Sequence, residues 1–249
     1  MFGSSTSNVI DIDIEAALDV IHEACLILKH YPTGKKNKFD VGCATAISDQ
    51  LVITSLHGKI QVGRPVTLTN KHGHIFNGTV VFSQYTPDLV DVAVIRLDGD
   101  ARLPQHVELC ALPLKLDTEI KVVGLSDSMG EDGSAESAIY SARVNKIENR
   151  NGSALFQSSY YAFDSFSGSG AVTVRVGGKF KLVGVHVAAH DSTVGVTKPS
   201  KKGKSLQQVS ADVQSICSEL HGHLAYCLIC EPSRVPSLIA FLHAERYWG

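Results

Sequence analysis

Three stretches of the sequence carry side chains that, brought together, would make an activated hydroxyl. The first is Leu51-Val52-Ile53-Thr54-Ser55-Leu56-His57-Gly58, an apolar strand that runs into small residues and a histidine. An imidazole fixed at a strand end titrates near neutral pH, so it can take a proton and give it back. The second is Asp91-Val92-Ala93-Val94-Ile95-Arg96-Leu97, where an acid opens an apolar strand. A carboxylate so placed can hold an imidazole in one tautomer and balance its charge once protonated. Asp88 is a nearby competitor, but it precedes the strand. The third is Ser165-Phe166-Ser167-Gly168-Ser169-Gly170-Ala171-Val172, a glycine-rich turn offering Ser167 or, in a second register, Ser169 as nucleophile. Taken singly, each stretch also has a plain structural reading: a turn histidine, a strand-opening aspartate, a Gly/Ser-rich loop.

The elements that must position these residues read as short strands. From Phe39 onward, β-type runs cover Asp40–Ile47, Leu51–Thr54, Pro65–Thr69, Ile75–Phe82, Asp91–Leu97, Val107–Ala111, Glu119–Leu125, Ala138–Ile147, Ala154–Gln157, Ala171–Val176 and Phe180–Ala188. Turn formers such as Asn70-Lys71-His72-Gly73 and Gly177-Gly178 punctuate them. This texture predicts an all-β barrel or sandwich. Ahead of it, Ile14, Leu18, Ile21, Cys25 and Leu28 share one helical face, which predicts an amphipathic helix from Ile14 to Lys29. After His190 comes a lysine-rich loop, Lys198 to Lys204. Helical spacing of Leu206, Val209, Val213, Ile216 and Leu220 follows, and a short helix is expected within Pro232 to Tyr247.

The order His57, Asp91, Ser167 on such a chain resembles the chymotrypsin-like serine peptidases. The serine stretch resembles their nucleophile signature, and Leu182-Val183-Gly184-Val185-His186 resembles the Gly-x-His strand of viral and bacterial glutamyl or glutaminyl endopeptidases. The resemblance covers about residues 39 to 190. It implies a double six-stranded antiparallel β-barrel of trypsin-like type; the N-terminal helix and the helical C-terminal tail, read from periodicity, lie outside it. It implies a His57-Asp91-Ser167 triad acting through an acyl-enzyme, with Ser169 as the alternative nucleophile. It implies an oxyanion hole from the N–H groups of Ser165 and Ser167, although the family usually has glycine where Ser165 stands; that departure keeps a non-catalytic binding module as a rival reading. His186 would line the primary pocket and select Glu or Gln before the scissile bond, whereas Asp164, the nearest charge before the nucleophile, would favour Lys or Arg.

The domain reading is an N-terminal helix and linker over 1–38, a peptidase domain over 39–190 split near 112–118, and a basic loop and tail over 191–249. The expected partner is a polypeptide substrate. A formal net charge of −2 argues against nucleic-acid binding. The start of the chain has no signal-peptide pattern and no stretch is long enough to span a bilayer, which points to the cytoplasm, or a host's cytoplasm for a viral chain. Six scattered cysteines suit a reducing compartment rather than a disulfide framework. No cofactor is expected. One further set, His221, His223, Cys227 and Cys230, has zinc-ligand types in a CxxC arrangement, and a zinc-stabilised interaction domain is the third reading. The apolar Leu228-Ile229 between the cysteines suits a buried segment instead.

Overall fold

The computed structural model describes residues 18–31, 39–57, 60–86, 90–129, 135–147, 154–160, 166–174, 179–190 and 226–247. Within them the chain forms two six-stranded antiparallel barrels. The first consists of β1 (Cys25–His30), β2 (Asp40–Ala46), β3 (Leu51–Thr54), β4 (Pro65–Asn70), β5 (Ile75–Thr86) and β6 (Val90–Leu97). Its order is β1-β2-β3-β6-β5-β4, and pairing of Leu26 with Asn70 and Lys29 with Thr67 closes β1 onto β4. The second consists of β7 (Glu119–Met129), β8 (Ala135–Ile147), β9 (Leu155–Ser159), β10 (Gly170–Val174), β11 (Phe180–His190) and β12 (Tyr226–Cys230). Its order is β10-β11-β12-β9-β8-β7, closed where Gly170 pairs with Val123. Closure leaves no unpaired sheet edge in either barrel.

Burial follows the strand period. In β4 the pattern alternates, with Val66, Leu68 and Asn70 inside and the residues between them more exposed. In β3 and β6 nearly every residue is buried, because one face fills the barrel and the other is covered. One apolar cluster joins the two barrels: Ile53, Val92 and Val94 of the first share it with Val123, Leu125, Leu182 and Val185 of the second. A smaller cluster fills the second barrel around Ile120, Val144, Phe156, Phe166 and Ile229. A helix over Pro236–Ala244 buries Leu238 and Leu242, sets Phe241 5.4 Å from Phe82, and pairs Glu245 with Arg96 of β6.

The expected helix Ile14–Lys29 is corrected in its second half. Residues 18–24 are helical, but Cys25–His30 is strand β1. Cys25, Leu26, Ile27 and Leu28 are buried on both faces, and β2 and β4 satisfy the backbone on either side. A continuous apolar run of this kind has no period of its own, so its residues also fit a helical face. The tail needs the same correction, since Tyr226–Cys230 is a strand inserted between β11 and β9. Both barrels therefore draw a strand from outside residues 39–190. The Val107–Ala111 run forms only an isolated bridge, Leu109 to Leu182, in the connection between the barrels. The basic loop and the helix expected over Ser205–Leu220 lie outside the described residues, as do Gly177-Gly178, although β10 and β11 pair antiparallel as a hairpin there requires.

Candidate active site

β3 ends at Thr54, paired with Ala93 of β6. Three residues on, His57 takes a left-handed backbone, φ 50°. That turn points two successive amides the same way: the N–H groups of Leu56 and His57 both donate to Oδ1 of Asp91 at 3.1 Å, and His57 N–H also reaches Oδ2 at 3.1 Å. Successive backbone N–H groups of this kind form an anion cradle. Asp91 is only 4% exposed, so its charge depends on these donors. Its Oδ2 also lies 2.8 Å from Nδ1 of His57. With Nδ1 donating to the carboxylate, Nε2 carries the lone pair, and it faces Oγ of Ser167 at 2.9 Å.

Ser167 comes from the turn entering β10, in the other barrel. The turn is fastened across the interface: Cys43 N–H of β2 donates to Ser167 O at 2.7 Å. Gly168 has φ 91°, and a Cβ there would stand 1.9 Å from Cys43 O, so only glycine fits. The amides of Gly168 and Ser169 donate to His186 O and Phe166 O, which leaves Ser167's own amide as the turn's candidate oxyanion donor. Ser169 is fully buried and its hydroxyl has no partner among the described residues; it faces inward, toward Gly124. Ser167, favoured by the sequence, and its alternative Ser169 thus occupy different surroundings. Ser165, Asp164 and Asp88 lie outside the described residues.

His186 sits on β11, where the register shifts before Ala188. Its carbonyl accepts from Gly168 N–H at 2.8 Å and Ser55 Oγ at 3.1 Å, tying the strand to both the serine turn and the histidine turn. The ring is 2% exposed and packs edge-on against Phe166 and Tyr160, both 5.6 Å away between centroids. Burial, aided by His57, pushes its pKa down to about 3, so it is neutral at physiological pH. Its Nδ1 lies 2.5 Å from the Tyr160 hydroxyl. Burial pushes that phenol well above its ordinary pKa, so it stays a donor. We assign the proton of His186 to Nε2 on that ground. Tyr160 was missed in the sequence, where nothing local separates it from Tyr161 or Tyr140.

Beside His57 and Ser167 opens a cavity of about 300 Å³, lined also by Leu28, His30, Phe39 and Asp40. A larger one, about 580 Å³, lies at Leu114, Ile147 and Arg234 and touches none of the residues above. The CxxC pair is set apart by strand geometry. Three residues apart on β12, Cys227 joins the second-barrel cluster and Cys230 the shared core, on opposite faces. They cannot close on one metal ion or on each other; His221 and His223 lie outside the described residues. Among the described residues no three His, Cys, Asp or Glu side chains gather as a metal site.

The fold is that of the chymotrypsin-like proteases. Tobacco etch virus protease in its catalytically active form superposes with a TM-score of 0.57 at 14% identity, over 98% of this chain and 84% of that one. The MamO protease domain of Magnetospirillum magneticum gives 0.54 at 13%, over 88% and 97%. An inactive form of Rv3671c from M. tuberculosis gives 0.52 at 16%, over 98% and 97%. No family model and no curated sequence matches the chain.

Proposed function

We propose that the chain is a serine endopeptidase that hydrolyses peptide bonds through Ser167, His57 and Asp91, cutting after Gln or Glu. The observation that carries this reading is the continuous contact Ser167–His57–Asp91, at 2.9 and 2.8 Å, made between two barrels. His57 Nε2 takes the Ser167 proton as Oγ attacks the carbonyl carbon. Asp91 holds the imidazole in that tautomer and balances the imidazolium. The amides of Ser167 and Ser165 would receive the oxyanion. The imidazolium then returns its proton to the leaving amine, and water repeats the sequence to release the acyl group.

His186 supplies the selectivity. Its Nε2–H is a neutral donor on a buried ring packed against Phe166 and Tyr160, matched to the oxygen of a carboxamide. An apolar side chain would leave that donor unpaired. A carboxylate would be buried beside a ring that brings no charge, so Gln ranks above Glu at neutral pH. The test is labelling with a fluorophosphonate followed by mass spectrometry. An adduct on Ser167, lost in His57→Ala, is expected. A folded protein that takes up no label, and cleaves no peptide, favours the binding-module reading that the serine at position 165 raises.

A further inference from the structure

Cys227 lies on β12, opposite Ala189 of β11 and Ser158 of β9. Its thiol donates to the main-chain carbonyl of Tyr160 at 3.3 Å. Tyr160 is the residue at which the chain leaves β9, so its carbonyl has run past the strand ladder at a buried point. A buried carbonyl needs a donor, and the thiol supplies one. The Tyr160 phenol meets Nδ1 of His186, and Tyr160, Phe166 and His186 pack ring against ring.

Resting on the reading of His186 given above, we propose that Cys227 is a positioning residue for substrate selection: it fixes the backbone of Tyr160, and so the phenol that keeps the proton of His186 on the nitrogen facing substrate. The thiol is suited to this task. Burial pushes its pKa up to about 11, so the donor proton is retained throughout the neutral range. Without it the Tyr160 carbonyl is orphaned, the phenol loses its aim, and the imidazole is free to move its proton to Nδ1. The substrate amide then meets a lone pair instead of a donor. Cys227 therefore acts on selectivity, at a distance from Ser167 and His57.

The experiment compares kcat/KM for two peptides that differ only in Gln or Met before the scissile bond. It uses the full chain as wild type, Cys227→Ala, Cys227→Ser and Tyr160→Phe. The Gln/Met ratio should fall about tenfold in Cys227→Ala, the worth of one hydrogen bond. Tyr160→Phe should fall at least as far. Cys227→Ser, which keeps a donor, should recover most of the ratio. In ¹⁵N spectra of the imidazoles, His186 should shift from the Nε2–H tautomer toward a mixture in Cys227→Ala alone of the cysteine variants. A Gln preference unchanged in Cys227→Ala overturns the role of Cys227 and leaves His186 standing. Equal losses on both peptides, as a merely structural defect would give, overturn it as well. A wild type with no Gln preference removes the reading of His186 and this inference with it.

Discussion

Ser167 and Ser169 stand two positions apart in one turn, and their side chains meet opposite conditions. Ser167 Oγ shares a hydrogen bond with His57, while Ser169 Oγ is buried with no partner among the described residues. Ser167→Ala should cut kcat/KM by about 10,000-fold or more with little change in stability. Ser169→Ala should keep measurable activity and match or exceed the wild-type melting temperature, because an unsatisfied buried hydroxyl is destabilising. Reversed results in the two variants would move the nucleophile to Ser169. His186 adds a pH dependence of two kinds. Its proton binds near pH 6.5 in the unfolded chain and near pH 3 in the folded one. Between those values the unfolded state holds more protons, so stability falls as pH drops through the window, by up to about 1.4 kcal/mol per pH unit. Urea midpoints measured from pH 7 to pH 4 should fall less steeply in His186→Gln. The His186 ring itself stays uncharged over the same range. Selectivity for Gln over Glu should therefore narrow as pH approaches the ordinary Glu pKa, when the Glu side chain becomes neutral. A ratio independent of pH between 7 and 4.5 would contradict a neutral donor in the pocket.

At the scale of elements, the serine turn is held by what lies beneath it. A Cβ on Gly124 of β7 would stand 2.4 Å from the Phe166 ring and 2.5 Å from Ser169 Oγ. Gly124→Ala should push Phe166 against His186, costing about 1–3 kcal/mol of stability and lowering kcat/KM more than tenfold. Thermal melts and peptide kinetics check both; wild-type turnover in this variant would show that Phe166 does not support the pocket. β1 is the second case. Leu26 and Leu28 are buried to within 1% and pair into both neighbours. A chain begun at Phe39 would open the first barrel between β2 and β4 and expose their unpaired edges. Such a truncation should be insoluble or unfolded by circular dichroism, whereas a start before residue 18 that keeps β1 retains the barrel.

At the scale of the whole molecule, the proposed chemistry lies where neither barrel alone has it. His57 and Asp91 come from the first, Ser167 and His186 from the second, and one apolar cluster spans the boundary. A main-chain bond from Cys43 N–H to the Ser167 carbonyl, and a side-chain bond from Ser55 Oγ to the His186 carbonyl, fasten the two halves at the site itself. Such a shared core should unfold as one unit. Calorimetry should show a single transition whose van't Hoff and calorimetric enthalpies agree. Two resolved transitions would show that the barrels are independent and that the site depends on docking rather than on folding. The C-terminal helix adds a contact to the first barrel, but its ion pair with Arg96 is more than a third exposed at both ends and contributes little by itself.

Local pattern was enough to mark β2, β3, β4 and β6 closely, because alternating or fully apolar runs bounded by turn residues have few other solutions. It also singled out His57, Asp91, Ser167 and His186, each of which carries a signal in its own few neighbours. The register of the glycine-rich turn favoured Ser167 and kept Ser169 as the alternative; the packing of Ser169 toward Gly124 sets their surroundings apart. Local pattern missed β1 and β12, whose apolar runs are satisfied by strands from elsewhere in the chain, and placed one in a helix and the other in a helical tail. Tyr160 and Cys227 were beyond it for the same reason. Their roles arise from contacts across barrel strands, and a residue whose partner lies tens of positions away leaves no mark on its own segment. Sequence alone determined which side chains could do the chemistry; the closing of two barrels against each other decided which of them meet.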